Sequence, residues 1–137
     1  MEEIQQWGPA TFRPPATEAE LQACEATLGH AIPDELRRLL AETNGIVDEM
    51  ESPLLWNTQR ISAENVYFRT SPDVQGLYMP FEGLVFFSDA GNGDQFGVSL
   101  SVGNEVYAWD HEDDSRMWVA QTVLDFLQGW MTGTITT

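Results

Sequence analysis

Lysine is absent from this chain, and six arginines are its only strong bases against 22 carboxylates, a formal net charge of −16 with a sequence pI near 4.1. Nucleic-acid binding needs clustered Lys and Arg to displace counterions, and anionic membranes need the same kind of patch, so both partner classes are argued against. Cysteine is nearly absent as well. With Cys24 alone no intrachain disulfide can form and no thiolate pair can begin a zinc site, which fits a reducing compartment. Long apolar runs are lacking: the longest, Leu84-Val85-Phe86-Phe87, is far short of a membrane span. The acidic start Met1-Glu2-Glu3-Ile4-Gln5-Gln6-Trp7 has neither the basic nor the apolar region of a secretory leader. A cytoplasmic protein is expected.

What is present speaks for a folded domain. The 137 residues suit one core. A hydrophobic content of 42%, with five Trp and seven Phe, is enough to offset the ordering entropy that leaves most acidic chains disordered. Charge repulsion keeps such a protein soluble and speeds encounters with positive surfaces. Solubility and recognition of a cationic protein are thus the two readings of the imbalance.

Along the chain, Pro9, Pro14 and Pro15 mark residues 1–16 as an irregular lead-in, residues 17–132 as the domain and residues 133–137 as a tail. Thr17-Glu18-Ala19-Glu20 has the form of a capping box. Leu21, Cys24 and Leu28 follow at helical spacing, Cys24 as a small core residue, and Gly29 ends the helix. Pro33, Asp34 and Glu35 open a second helix with stripe Leu36, Leu39 and Leu40; Arg37 and Arg38 take its solvated side and Asn44-Gly45 its stop. Residues 46–79 carry the acidic stretch Asp48-Glu49-Met50-Glu51, a short strand at Leu54-Leu55-Trp56 and a short helix from near Ser62. Leu84–Phe87 reads as a strand buried on both faces. The turn Asp89-Ala90-Gly91-Asn92-Gly93 joins it to Gln95–Leu100, whose alternation puts Phe96, Val98 and Leu100 on one face. Val106–Trp109, an extended Met117-Trp118-Val119 and a helix capped by Thr122, with Val123, Phe126, Leu127 and Trp130 on its apolar side, complete the chain. The class is α+β: two N-terminal helices, a central, mainly antiparallel sheet and a C-terminal helix.

No catalytic constellation emerges. Gly91-Asn92-Gly93 lacks the Lys-Ser/Thr of a phosphate cradle, and Asp89 and Asp94 flanking it would repel phosphate. His111 has no second His four residues on, and Glu112, Asp113 and Asp114 do not follow the calcium-loop pattern, so no metal and no other cofactor is expected. Asp94, Asp110 and His111 are the residues a metal-assisted hydrolase would use. Gly97-Val98-Ser99-Leu100-Ser101 falls short of a nucleophile elbow, and Ser99 reads as outward-facing sheet polarity. His30, at a helix end, reads as a capping or packing residue. The chain is expected to bind, not to catalyse.

Thr17 to Leu28, Ile32-Pro33-Asp34-Glu35-Leu36, Asn44-Gly45, Leu84–Phe87 leading to Gly91-Asn92-Gly93-Asp94-Gln95-Phe96, Val106-Tyr107-Ala108-Trp109-Asp110-His111 and the helix through Phe126-Leu127 together resemble the SUKH superfamily, in its Smi/Knr-type branch. The resemblance spans roughly residues 17 to 130. It implies a binding protein: bacterial members are largely immunity proteins that neutralise toxins of polymorphic or contact-dependent systems, many acting on nucleic acid. A housekeeping scaffold or regulatory adaptor with several cellular partners, as in the fungal branch, is the alternative. A dense set of carboxylates could fill a basic toxin's cleft in place of phosphate. Loops carry recognition while strands and helix faces are committed to packing, so the contact residues expected are Glu49, Glu51, Asp89, Asp94, Glu112, Asp113 and Asp114.

Overall fold

The computed structural model describes residues 2–101 and 104–136. The helices are α1 (Glu2–Trp7), α2 (Glu18–Leu28), α3 (Asp34–Glu42), α4 (Thr58–Thr70) and α5 (Val123–Met131). The strands are β1 (Ala10–Phe12), β2 (Ile46–Asp48), β3 (Pro53–Leu55), β4 (Leu84–Asp89), β5 (Gln95–Ser99), β6 (Val106–Trp109) and β7 (Arg116–Ala120). They form two antiparallel sheets, β1-β2-β3 and β4-β5-β6-β7. The class is α+β, as the sequence indicates.

Local chemistry fixes several ends where expected. Thr17 Oγ1 accepts the Glu20 N–H and Glu20 returns a carboxylate oxygen to the Thr17 N–H, so the capping box is complete. Gly29 closes α2 at φ 83°, a conformation that favours glycine. Thr122 caps α5 through the Asp125 N–H. Other expectations need correction. The segment read as an irregular lead-in holds α1 and β1, because Ile4 is fully buried and β1 pairs with β2. α3 stops at an extended Thr43, ahead of Asn44-Gly45, and the Thr43 hydroxyl lies within hydrogen-bonding distance of the Arg13 and Gly45 carbonyls. α4 starts four residues before Ser62, where Asn57 accepts the Arg60 N–H.

Both faces of the four-stranded sheet are covered, so β4 is buried on both, as its continuous apolar run requires. On one side Phe68 of α4 meets Phe81, Phe86 and Trp109 edge-on at centroid distances of 5.3 Å each. On the other, Phe126 and Trp130 of α5 pack on Phe96, and Phe126 also meets Phe87. β5 departs from the expected alternation: Gly97 and Ser99 are buried along with Phe96 and Val98, and Leu100 lies exposed beyond the strand end. A side chain at Gly97 would come within 3.1 Å of the Phe86 ring, so glycine here lets the aromatic layer close. Ser99 is buried, not outward-facing as the alternation suggested, its Oγ 2.6 Å from that of Ser101.

The two outer edges of this sheet differ. Along β4, Asn65 of α4 accepts the Phe86 N–H at 2.8 Å and donates to the Phe86 carbonyl at 2.9 Å. Arg69 donates to the Leu84 carbonyl, and the Trp56 N–H, just past β3, reaches the Phe87 carbonyl at 2.8 Å. β7 pairs with β6 alone among the described residues. One edge is closed by a helix and the smaller sheet; the other is open.

Candidate functional site

Six of the seven carboxylates singled out from the sequence lie in three turns and Asp89 is the last residue of β4, and they divide by what they touch. Glu49 and Glu51 lie in the β2–β3 turn, which Asp48 builds by accepting the Met50 and Ser52 N–H groups with one oxygen. Both are exposed, and Glu51 sits at φ 60°. Glu112 and Asp113, in the β6–β7 turn, are exposed too. Hydrogen bonding from Ser115 holds the Asp113 carboxyl below its usual range.

The other three are committed inward. Asp89 Oδ2 accepts Trp56 Nε1–H and the Arg60 guanidinium, each at 2.8 Å, while that guanidinium lies 4.4 Å over the Trp56 ring. Asp114 accepts from Trp109 Nε1 at 2.7 Å, the Met79 N–H at 2.9 Å and Arg116 at 3.0 Å. Burial alone would raise the Asp114 carboxyl, but those donors outweigh it and leave the group below its ordinary value. Asp94 is buried and accepts from His111 Nδ1 at 2.6 Å and from the His111 N–H.

Asp94, Asp110 and His111 do converge, with potential ligand atoms within 4.8 Å of one another. Each already has an internal role: the Asp94–His111 pair ties the β4–β5 turn to the β6–β7 turn, and Asp110 accepts the Glu112 N–H. Gly93, at φ 103°, lies under the imidazole, and a Cβ there would come within 2.9 Å of the ring. The two turns therefore lock face to face.

This lock makes stability depend on pH. The hydrogen bond to Asp94, with the fields of Asp94, Glu112 and Asp110 behind it, raises the His111 pKa above 6.5. A raised folded-state pKa means the contribution is full below 6.5 and fades as pH climbs through the folded value. Urea midpoints are thus expected to fall over a window that begins near 6.5 and extends above it, a decline that Asp94→Asn should flatten. A midpoint that rises across that window would contradict the pairing.

Three further placements complete the surface. Cys24 is buried, and burial pushes its thiol pKa up, as a core residue requires. His30 Nδ1 lies 2.8 Å from the Ala31 carbonyl at the end of α2. Met117 and Trp118 on β7 are 66% and 55% exposed. Their exposure was not legible in the sequence, because alternation identifies a strand's two faces without saying that the strand stands at an edge.

Arg37, Arg60 and Arg116 form ion pairs with Glu18, Glu25, Glu64, Asp89 and Asp114 among the described residues. Most of the carboxylates among the described residues have no arginine partner, and exposed ones lie in the β2–β3 and β6–β7 turns and also at Asp34, Glu42, Asp73, Glu82 and Asp125. Among the described residues no helix is long and apolar enough to cross a membrane. No curated protein matches the chain. The family model described as SMI1 / KNR4 family (SUKH-1) matches residues 15–129, a span holding α2 to α4, both turns and all of the four-stranded sheet, and the chain belongs to that family.

Proposed function

We propose that this chain is a cytoplasmic immunity protein that binds and neutralises a cognate toxin, basic and directed at nucleic acid, through its acidic surface. The observation that carries the reading is the uncompensated charge: a net −16 on a domain of a family whose framework implies protein binding, with the arginine ion pairs absorbing only a few carboxylates. A toxin that acts on nucleic acid presents a cationic cleft. Glu49, Glu51, Glu112 and Asp113 are the contact residues of the proposal, while Asp89, Asp94 and Asp114 support it by holding the turns in shape.

The test is co-expression and pull-down with the product of the neighbouring gene. Capture of that product together with rescue of growth supports the reading. If the neighbour is a toxin and the chain neither binds nor neutralises it, the reading fails. Capture of several cellular proteins without protection would instead identify a regulatory adaptor.

A further inference from the structure

We propose that the open edge of β7 receives an extended, basic segment of the partner protein as an added antiparallel strand. The proposal rests on the partner being basic, as argued above, and adds where it docks and in what conformation.

An edge strand offers a row of unpaired N–H and C=O groups, and folded proteins ordinarily blunt it with a bulge, a charge, a proline or a covering element. β4 is closed in that way by Asn65, Arg69 and the Trp56 N–H. No element covers β7 in this way among the described residues: it carries a bulge at Val119, where its register with β6 shifts, yet beyond the β6 ladder Met117, Trp118 and Val119 make no main-chain hydrogen bond. The strand's one charge, Arg116, is turned back onto the Pro80 and Met79 carbonyls and Asp114, so it does not guard the edge.

The side chains around this edge suit a strand partner. Trp118 and Met117 project to opposite faces, and both are exposed. Met79, exposed as well, lies where Arg116 bonds its carbonyl. Between β7 and α5 runs a groove lined by Trp118, Val119, Gln128 and Ile135, with exposed Asp125 on its wall. An added strand would find main-chain partners at Met117 and Trp118, ahead of the bulge at Val119, and apolar contact on either side.

Charge selects the occupant. Glu112 and Asp113 stand exposed at the start of β7 and Asp125 near its end, and the one cation between them in sequence, Arg116, is bound to Asp114. A second copy pairing antiparallel through β7 would set the acidic turn of each chain beside Asp125 of the other, and two chains of −16 repel. A segment alternating Lys or Arg with apolar residues meets the carboxylates with its cations and the Trp118 face with its aliphatic side chains.

The test titrates the full chain, labelled for NMR, with three twelve-residue peptides: one alternating Lys and Val, one alternating Glu and Val, and a Lys/Val peptide of equal charge interrupted by proline. The first is expected to shift and protect the amides of Met117–Val119. The proline-interrupted peptide and the Trp118→Ser variant should each bind at least tenfold more weakly, and the acidic peptide should not bind. Equal affinity for the interrupted peptide would reduce the contact to charge alone and overturn the inference. So would perturbations centred on Glu49 and Glu51, or a peptide-free dimer with protected β7 amides. A toxin captured and neutralised while the β7 amides stay unprotected would overturn it and leave the toxin-binding reading standing.

Discussion

Replacing Glu49, Glu51, Glu112 and Asp113 together by Lys is expected to slow association with the proposed toxin by at least about tenfold at low ionic strength, because steering by opposite charge raises on-rates by one to three orders of magnitude. Each substitution moves the net charge by two units from −16, and all four side chains are exposed. Stopped-flow association at roughly 20 mM and 300 mM salt separates the cause, since screening over a Debye length should shrink the gap between variant and parent as salt rises. An on-rate unchanged at low salt would remove both turns from the steering surface. Asp114 must stay out of the set despite standing next to Asp113. It holds Trp109, Met79 and Arg116, so a Lys there would disturb the core and confuse a folding defect with lost attraction.

Asn65→Ala should give the largest loss of stability from a single polar side chain. Asn65 is buried and serves both the N–H and the carbonyl of Phe86 while also donating to the Ile61 carbonyl. Each buried polar group left unpaired costs about 1–3 kcal/mol, so the loss should reach about 2–5 kcal/mol. That is a large share of the roughly 5–15 kcal/mol by which domains of this size are stable. Urea denaturation measures it, with Gln59→Ala on the exposed side of the same helix as a control expected within about 0.5 kcal/mol of the parent. A loss at Asn65 no larger than that of the control would mean that β4 does not depend on this helix for its edge.

The local elements were legible because their signals are short-ranged. The capping box at Thr17, the glycine stop at Gly29 and the Thr122 cap each join residues three or four apart. The double burial of Leu84–Phe87 follows from its unbroken apolar run. The family framework was legible for a similar reason, since the order and spacing of such pieces are properties of the chain. Ser99 was misread because alternation assumes one wet face, and here α4 and α5 cover both. α1 and β1 were missed because neither is stable by its own pattern: β1 exists by pairing with β2, and Ile4 by its burial in the core.

The candidate surface divides along the same line. Acidity, the absence of lysine and the turn positions of six of the seven carboxylates can be read from composition and turn chemistry, while Asp89 proves to end β4. Which of them are free cannot, since Asp89 meets Arg60 and Trp56 across 29 and 33 residues of chain and Asp94 meets His111 across 17. Glu35 is the sharpest case: placed by sequence at the start of its own helix, it accepts the Val123 and Leu124 N–H groups of α5, 88 and 89 residues away. The sequence alone determined most of the local elements, the class and the sign of the chain's own charge, because these depend on neighbours along the chain and on sums over it. Only the tertiary structure decided which carboxylates are spent inside, which sheet edge is closed and which stays open, because a hydrogen bond between distant segments leaves no periodic trace in either of them.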